Sequence, residues 1–172
     1  AETSRRPLAT IEATLSAVAA AGGTSVLNTA PFRAEAAKLL PAADFVIANE
    51  TEFDLYADAL QLAGDDRKSR MRDFAGRTGR TIIVTLGADG VIAATPDHEL
   101  AVPALDVTPV DTVGAGDTFC GYFGAGLAAG LPLDEALRRA AAAGSLACLK
   151  KGAQPAIPHA SEVDAALSKG NA

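Results

Sequence analysis

A short stretch near residue 115 combines the residue types that phosphoryl transfer requires. Three small residues, Gly114, Ala115 and Gly116, come directly before Asp117, at what the sequence predicts to be the start of a helix. The first backbone N–H groups of a helix have no partner within it and carry partial positive charge. Small residues let another molecule approach these groups closely, so the stretch is a candidate cradle for an anion.

Asp117 has two interpretations. In the first turn of the helix, its carboxylate could accept the proton of a substrate hydroxyl while the cradle stabilises the transferring phosphoryl group. The alternative is that Asp117 caps the helix and that the glycines only turn the chain. The spacing alone leaves both open. The cradle is not a Walker A loop, because the chain contains no GxxxxGK[ST] stretch.

Two further polar stretches come directly after predicted strands. In ANETEFD (48–54), the side chains of Asn49, Glu50 and Glu52 would face the ligand crevice, where a carboxylate could hold a hydrated Mg²⁺ that bridges nucleotide phosphates. In VTLGADG (84–90), a glycine-bearing loop ends another strand. The alternatives are a helix start with Asn49 as its N-cap, and a simple hairpin turn.

Strand-like and helical patterns alternate along the chain. β-branched runs between amphipathic stretches are typical of a mostly parallel sheet covered by helices on both faces, so we expect a single α/β domain. Helices are predicted over residues 9–22, 31–40 (stopping before Pro41), 50–60, 65–79, 114–130 and 133–152. Strands are predicted over residues 24–28, 44–49 and 81–87, with edge strands over 91–95 and 98–104.

Composition and charge argue against several classes of protein. The chain has 172 residues, of which 49% are hydrophobic and 21% charged, as expected of one globular domain. A net charge of −6 argues against a nucleic-acid partner, which needs a basic face. No apolar run is long enough to span a bilayer, and residues 1–10 lack the apolar region of a signal peptide. We therefore expect a cytoplasmic protein without a membrane partner.

The few cysteines and histidines do not indicate a metal site. Cys120 and Cys148 are not spaced for zinc, and we expect both to be buried free thiols. His98 and His159 are too few and too far apart for a metal cluster or a convincing catalytic histidine.

Three motifs together resemble those of the ribokinase-like (PfkB) family of carbohydrate kinases. DTVGAGDTF (111–119) resembles the family's C-terminal signature, NETE (49–52) its Asn-x-x-Glu motif and TLGADG (85–90) its nucleotide loop, all in the family's order. KGAQPAIP (151–158) and LNTAPFR (27–33) resemble segments of its ribose-phosphorylating members. The resemblance covers nearly the whole chain, and only the first motif would be specific by itself.

The resemblance implies a role for each matching position. Asp117 would be the base that deprotonates a primary hydroxyl of the sugar, and residues 114–116 would form the anion hole. Asn49 and Glu52 would organise phosphate and Mg²⁺. Three residues would lie along the ATP: Thr85, Gly87 and Gly90.

A potassium site is also implied. Asp111 and the carbonyl of Val113 would begin it, beside the anion hole. A fixed cation there would orient the loop and add positive potential where negative charge develops. Further backbone carbonyls would complete the site, near Ala147, Lys150, Gly152 and Ala156.

The implied fold is a three-layer α/β/α domain with a mostly parallel sheet. Residues 1–172 would be its C-terminal nucleotide-binding and catalytic portion. The family's N-terminal part, with a glycine-rich sugar-binding signature and a small β-sheet lid, has no counterpart in this sequence. Because the lid excludes water from the sugar, we do not expect the chain alone to be fully active. A homodimer of the complete protein is compatible with the resemblance.

Several functions remain open from the sequence. The leading one is ATP-dependent phosphorylation of D-ribose to ribose 5-phosphate. Within the same family, the acceptor could instead be fructose, a keto-deoxy sugar acid or a nucleoside. A non-catalytic nucleotide-binding module is the alternative from another class, and the retained Asp117 beside an intact cradle argues against it. A scaffolding role is the least favoured.

Overall fold

The structure is a computed structural model that describes residues 8–169. The expectation about a signal peptide in residues 1–10 therefore falls largely outside the described residues. The described residues contain five strands: β1 (Val26–Asn28), β2 (Phe45–Asn49), β3 (Thr81–Thr85), β4 (Val91–Ala94) and β5 (Glu99–Val102). The α-helices are α1 (Leu8–Ala20), α2 (Glu50–Ala59), α3 (Arg67–Thr78), α4 (Ala115–Ala128), α5 (Leu133–Ala147) and α6 (Ala160–Lys169). Three 3₁₀ segments cover Ala34–Ala42, Gly87–Asp89 and Gln154–Ala156.

The chain divides into two compact units. The first contains the residues up to Thr85 together with Ile92–Leu100, and the second contains Leu86–Val91 together with the residues from Ala101 onward. The sheet has the strand order β1-β2-β3-β4-β5, in which β1 is parallel to β2 and β2 is parallel to β3. The predicted α/β class is therefore confirmed.

The central strands of the first unit are buried along their length. Val46, Ile83 and Val84 are fully inaccessible to solvent. Strands covered on both faces read as continuous apolar runs, which is why FVIAN and TIIVT lack a polar alternation. At their carboxyl ends, Asn49 pairs in register with Thr85, so two polar residues are brought side by side.

At the amino ends of the same strands, a polar contact fixes the register of β1, β2 and β3. One carboxylate oxygen of Asp44 accepts hydrogen bonds from the Ser25 N–H at 2.9 Å and the Ser25 hydroxyl at 2.8 Å. The other accepts from the Arg80 guanidinium at 2.6 Å. Burial alone would raise the pKa of Asp44, but these hydrogen bonds and the charge of Arg80 hold it below its usual value. The segments that lead into β1, β2 and β3 are thereby tied together.

Helices of the second unit pack through small residues. A Cβ added at Gly126 of α4 would lie 3.1 Å from the Cβ of Ala136 in α5, and one added at Gly144 of α5 would lie 3.4 Å from the Ala115 carbonyl. The alanine-rich face of α5 is fully buried at Ala140 and Ala143. The small-residue character of both helices thus allows a close α4–α5 contact, which holds the first turn of α4 in place.

Some expectations were wrong. The segment predicted as a helix over residues 31–40 is a 3₁₀-helix that runs through Pro41 instead of stopping before it. Proline has no N–H to donate, and the turn is closed after it by the Ala43 N–H, which donates to the Leu40 carbonyl at 3.2 Å. Strand β4 is not an edge strand, because it lies between β3 and β5.

Cys120 and Cys148 form no disulfide within residues 8–169 but are only half-buried, so the prediction of buried thiols was partly wrong. Cys148 follows directly after α5, where its thiol donates to the Gly144 carbonyl at 3.4 Å. Burial and the charge of Asp111 raise the pKa of this thiol. No helix within residues 8–169 has both the length and the apolar character needed to cross a bilayer.

Candidate active site

The turn before α4 requires glycine at residue 114. Gly114 has φ +80°, in the left-handed region, and a Cβ added to it would lie 2.7 Å from the Cβ of Ala153. Any other side chain would be strained by the backbone and would collide with Ala153. The KGAQPAIP stretch therefore packs directly under the glycine that opens the cradle, a role for Ala153 that sequence reasoning missed.

The first turn of α4 leaves two backbone N–H groups available to a ligand. The Ala115 N–H donates to the Thr112 carbonyl at 3.2 Å, and the Thr118 N–H donates to the Gly114 carbonyl at 2.8 Å. The N–H groups of Gly116 and Asp117 have no acceptor among residues 8–169. The cradle is thus narrower than the sequence indicated, because the turn itself uses the Ala115 amide.

Asp117 stands at the edge of this cradle. Its side chain is exposed and makes no hydrogen bond or ion pair within the part of the chain that the structure describes. No side chain caps the start of α4, so the interpretation of Asp117 as a capping residue is not supported. A solvent-facing carboxylate beside two unpaired amides is arranged to accept a proton next to a bound anion.

Asp111 fastens the loop that leads into the cradle. One carboxylate oxygen accepts a hydrogen bond from the Gly152 N–H at 2.8 Å, and the other accepts from the Val113 N–H at 3.1 Å. These two bonds, that of Gly152 foremost, hold the pKa of Asp111 below its usual value. The N–H groups of Val110 and Asp111 donate to the Cys148 carbonyl at 2.7 and 3.2 Å. The structure therefore brings together three of the residues predicted for the potassium site.

The other predicted potassium ligands lie at the end of α5 and in the segment that follows it. Ala147 and Lys150 lie within two residues of Cys148, whose carbonyl holds the Asp111 backbone. Ala156 is buried, and its N–H donates to the Ala153 carbonyl at 3.2 Å. The ammonium group of Lys150 points to Glu162, at 3.4 Å.

The predicted nucleotide loop is a closed turn in the second unit. The Leu86 N–H donates to the Gly90 carbonyl at 2.8 Å. Gly90 has φ +97°, and a Cβ added to it would lie 2.6 Å from the Ala104 backbone nitrogen, so packing alone requires glycine there. Gly87 has φ +58°, and a Cβ added to it would meet nothing within 4 Å. The turn is therefore open to solvent at Gly87. Thr85 belongs to the first unit, where it is half-buried.

The NETE motif forms the start of α2 in the first unit. The Asn49 side chain accepts a hydrogen bond from the Glu52 N–H at 2.8 Å, and the Glu52 carboxylate accepts from the Asn49 N–H at 3.1 Å. This capping box stabilises the helix start, as the structural interpretation of the motif predicted. Beside the end of β2, Asn49 is exposed and Glu52 is half-buried. Glu50 differs from expectation, because it pairs with Arg67 at 2.9 Å.

Comparison with known proteins identifies a family that this chain matches. The family model described as pfkB family carbohydrate kinase matches residues 4–160. The ribokinase of Staphylococcus aureus is 33% identical over 159 residues, which cover 92% of this chain and 52% of that protein. The chain thus spans about half the length of the curated relatives it matches.

Solved structures give the same result. A ribokinase from Thermotoga maritima has a TM-score of 0.79 at 27% identity, covering 90% of this chain and 52% of that one. A ribokinase from Arabidopsis thaliana, complexed with ribose and ATP, has a TM-score of 0.80 at 28% identity, covering 94% of this chain and 53% of that one. The match over nearly the whole sequence and the shared fold show that the chain belongs to the PfkB family of carbohydrate kinases.

Proposed function

We propose that this chain is the nucleotide-binding and catalytic portion of an ATP-dependent sugar kinase that phosphorylates a primary hydroxyl, with D-ribose as the favoured acceptor. The observation that supports this most is the first turn of α4. There the N–H groups of Gly116 and Asp117 lie beside the Asp117 carboxylate, and none of these groups has a partner among the residues that the structure describes. An anion-binding cradle next to a proton acceptor is what phosphoryl transfer to a hydroxyl requires.

Each part of the cradle has a separate task in this reaction. The Asp117 carboxylate takes the proton of the attacking hydroxyl. The two amides donate hydrogen bonds to the phosphoryl oxygens, where negative charge grows during transfer. The close Gly114–Ala153 contact and the Asp111–Gly152 hydrogen bond hold the turn in its shape before the substrate arrives. A rigid cradle needs no reorganisation at the moment of reaction.

Mg²⁺ would be held through the NETE motif. The carboxylate of Glu52 and the side chain of Asn49 offer the oxygen ligands that Mg²⁺ prefers, directly after a parallel strand. Bound Mg²⁺ would neutralise charge on the nucleotide phosphates. The capping box keeps Asn49 and Glu52 in fixed positions, so they are prepared to hold the ion, directly or through its water shell.

The loops around Asp111 fit a potassium ion in their chemistry. The half-buried Asp111 carboxylate lies near backbone carbonyls on segments that Asp111 itself fastens. Potassium would supply a fixed positive charge beside the cradle. We expect turnover with a sugar acceptor to be faster in K⁺ than in Na⁺ at equal ionic strength. Equal rates in the two salts would remove this site from the proposal.

The choice of sugar rests on the relatives named ribokinase and on the KGAQPAIP and LNTAPFR stretches. Fructose, a keto-deoxy sugar acid or a nucleoside is the alternative acceptor. A comparison of ADP formation with D-ribose, D-fructose and adenosine separates these. The proposal also includes a cytoplasmic protein and, for the complete protein, a homodimer.

The first test is a calorimetric titration of this chain with Mg·ATP in K⁺ buffer, with and without D-ribose. We expect saturable binding that Gly116→Val weakens. Binding that ribose strengthens would support a sugar kinase, whereas binding that leads to no ADP with any acceptor would favour a non-catalytic nucleotide module. A well-folded chain that binds no Mg·ATP would refute the proposed function.

A further inference from the structure

The segment that follows β1 is fastened to α2 by one buried tyrosine. The Tyr56 hydroxyl accepts a hydrogen bond from the Arg33 N–H at 3.1 Å and donates to the Thr29 carbonyl at 3.4 Å. The Phe32 ring meets the Tyr56 ring edge-on, with 4.6 Å between the ring centroids. Only 1% of Tyr56 is exposed. A single side chain thus holds both ends of the segment 29–33.

This segment leaves the sheet at the edge where the NETE motif begins. Asn28 pairs with Ile47 in the parallel β1–β2 ladder, and the Thr29 N–H continues the ladder by donating to the Ile47 carbonyl at 3.0 Å. Two residues beyond Ile47, Asn49 caps α2. Glu52 and Tyr56 lie four residues apart on α2 and therefore on one face of the helix. The Arg33 backbone, which donates its N–H to the Tyr56 hydroxyl, is thus held near the helix face that carries Glu52.

The charges at this edge agree with that placement. The pKa of Tyr56 is raised, mainly by burial and also by the negative charge of Glu52. The hydrogen bond from the Arg33 N–H and the positive charge of Arg33 act in the opposite direction. Both charged side chains thus lie within electrostatic range of the hydroxyl. Arg33 forms a long, solvent-exposed ion pair with Glu35, at 4.0 Å. Such a pair contributes little, so its exchange for a phosphate oxygen is easy.

Carboxylates alone cannot hold a polyphosphate at this edge. Glu52 and Glu35 both repel phosphate oxygens, and Glu50 is paired with Arg67 at 2.9 Å, a guanidinium that also binds Asp54. A Mg²⁺ ion would offset Glu52 but would leave the phosphates without a direct cationic partner from the protein. A guanidinium is suited to this task, because its donors match two phosphate oxygens at once.

We propose that Arg33 binds a phosphate oxygen of the Mg·nucleotide, and that Tyr56 is the positioning residue that holds Arg33 beside the Asn49–Glu52 motif. This inference rests on the proposed function, because it assumes that a nucleotide binds there. It adds a phosphate contact from the LNTAPFR stretch, which lies outside the three family motifs.

The test compares Mg·ATP with adenosine in calorimetric titrations of the 172-residue chain. Arg33→Gln should weaken Mg·ATP binding by about tenfold or more and leave adenosine binding unchanged, since only ATP carries the phosphates. Arg33→Lys, which keeps the charge but not the forked donors, should lose less. Arg72→Gln is the matched control, because Arg72 pairs with Glu99 at 2.7 Å on the surface of the same unit. It should bind both ligands like the wild type.

A double-mutant cycle tests the role of Tyr56. Tyr56→Phe removes the hydroxyl and keeps the ring contact with Phe32, so it should weaken Mg·ATP binding but not adenosine binding. In an Arg33→Gln background the same change should have no further effect on Mg·ATP, since Tyr56 acts through Arg33. A purely structural role would give additive losses for both ligands.

The outcomes separate this inference from the proposed function. Wild-type affinity for Mg·ATP in a folded Arg33→Gln variant would overturn the inference and leave the proposed function standing. Additive losses in the cycle would overturn the role of Tyr56. If the wild-type chain itself binds no Mg·ATP, the proposed function fails and the inference fails with it.

Discussion

The carboxylate of Asp111 accepts a hydrogen bond from the backbone N–H of Gly152 at 2.8 Å, across 41 residues of sequence. This contact joins the loop before α4 to the loop after α5. Gly114, three residues after Asp111, meets Ala153, the residue after Gly152, on the same two loops. The cradle is thus supported by a polar contact and by a packing contact, both made by residues that follow α5.

The Asp111 contact should respond to acid. Because the hydrogen bonds lower the pKa of Asp111, its contribution to stability is fully present above the unfolded-state value of about 3.9. That contribution is lost as the pH falls through the lower folded-state pKa. We expect the NMR shift of the Gly152 amide to titrate with a midpoint below about 3.9, and Asp111→Asn to abolish this titration. A midpoint at or above the unfolded value would contradict the contact.

Asp117→Asn should separate binding from chemistry. The amide keeps the size of the side chain but cannot take the hydroxyl proton, so Mg·ATP binding should persist. Sugar-dependent ADP formation should fall by about 10²–10⁴-fold. The measurement is steady-state turnover in a preparation that phosphorylates a sugar, with calorimetry of Mg·ATP binding as the control. Turnover within a few-fold of the wild type would show that another group is the base.

Gly116→Val should block the cradle without disturbing the fold. A Cβ added at Gly116 meets nothing within 4 Å, so the new side chain would lie over the unpaired amides instead of inside the protein. Gly121→Val is the matched control, because Gly121 is equally open on the same helix. We expect loss of Mg·ATP binding in the first variant only. Equal affinities in the two variants would place the phosphates elsewhere.

Two alanine substitutions in the same turn should change stability in opposite directions. Gly114→Ala should lower the free energy of unfolding by about 1–3 kcal/mol, because of the left-handed backbone and the collision with Ala153. Gly116→Ala should raise it by up to about 1 kcal/mol, since alanine suits a helix better than glycine. Urea unfolding of both variants tests this. A loss in both variants would mean that Gly116 is also constrained by packing.

Local patterns in the sequence were enough to identify most elements of the fold. The β-branched runs at β2 and β3 and the glycine-bounded helix α3 are read from periodicity and end signals, which depend on neighbouring residues alone. The segment 31–40 was misassigned, since the period of its apolar residues does not distinguish a 3₁₀-helix from an α-helix. The edge position assigned to β4 was wrong for a different reason: strand order is set by contacts between distant segments.

By itself, the sequence predicted the class of chemistry that we propose. Gly114-Ala115-Gly116-Asp117 marks a helix start with an adjacent acid, and such a start exposes amides whatever surrounds it. The tertiary structure decided which groups are available. It used the Ala115 amide in a turn, engaged Glu50 with Arg67, and placed Ala153 under Gly114. It also brought Arg33 to Tyr56, on the helix that begins at the NETE motif. Such contacts join residues far apart in the chain, so only the packing of the folded elements selects them.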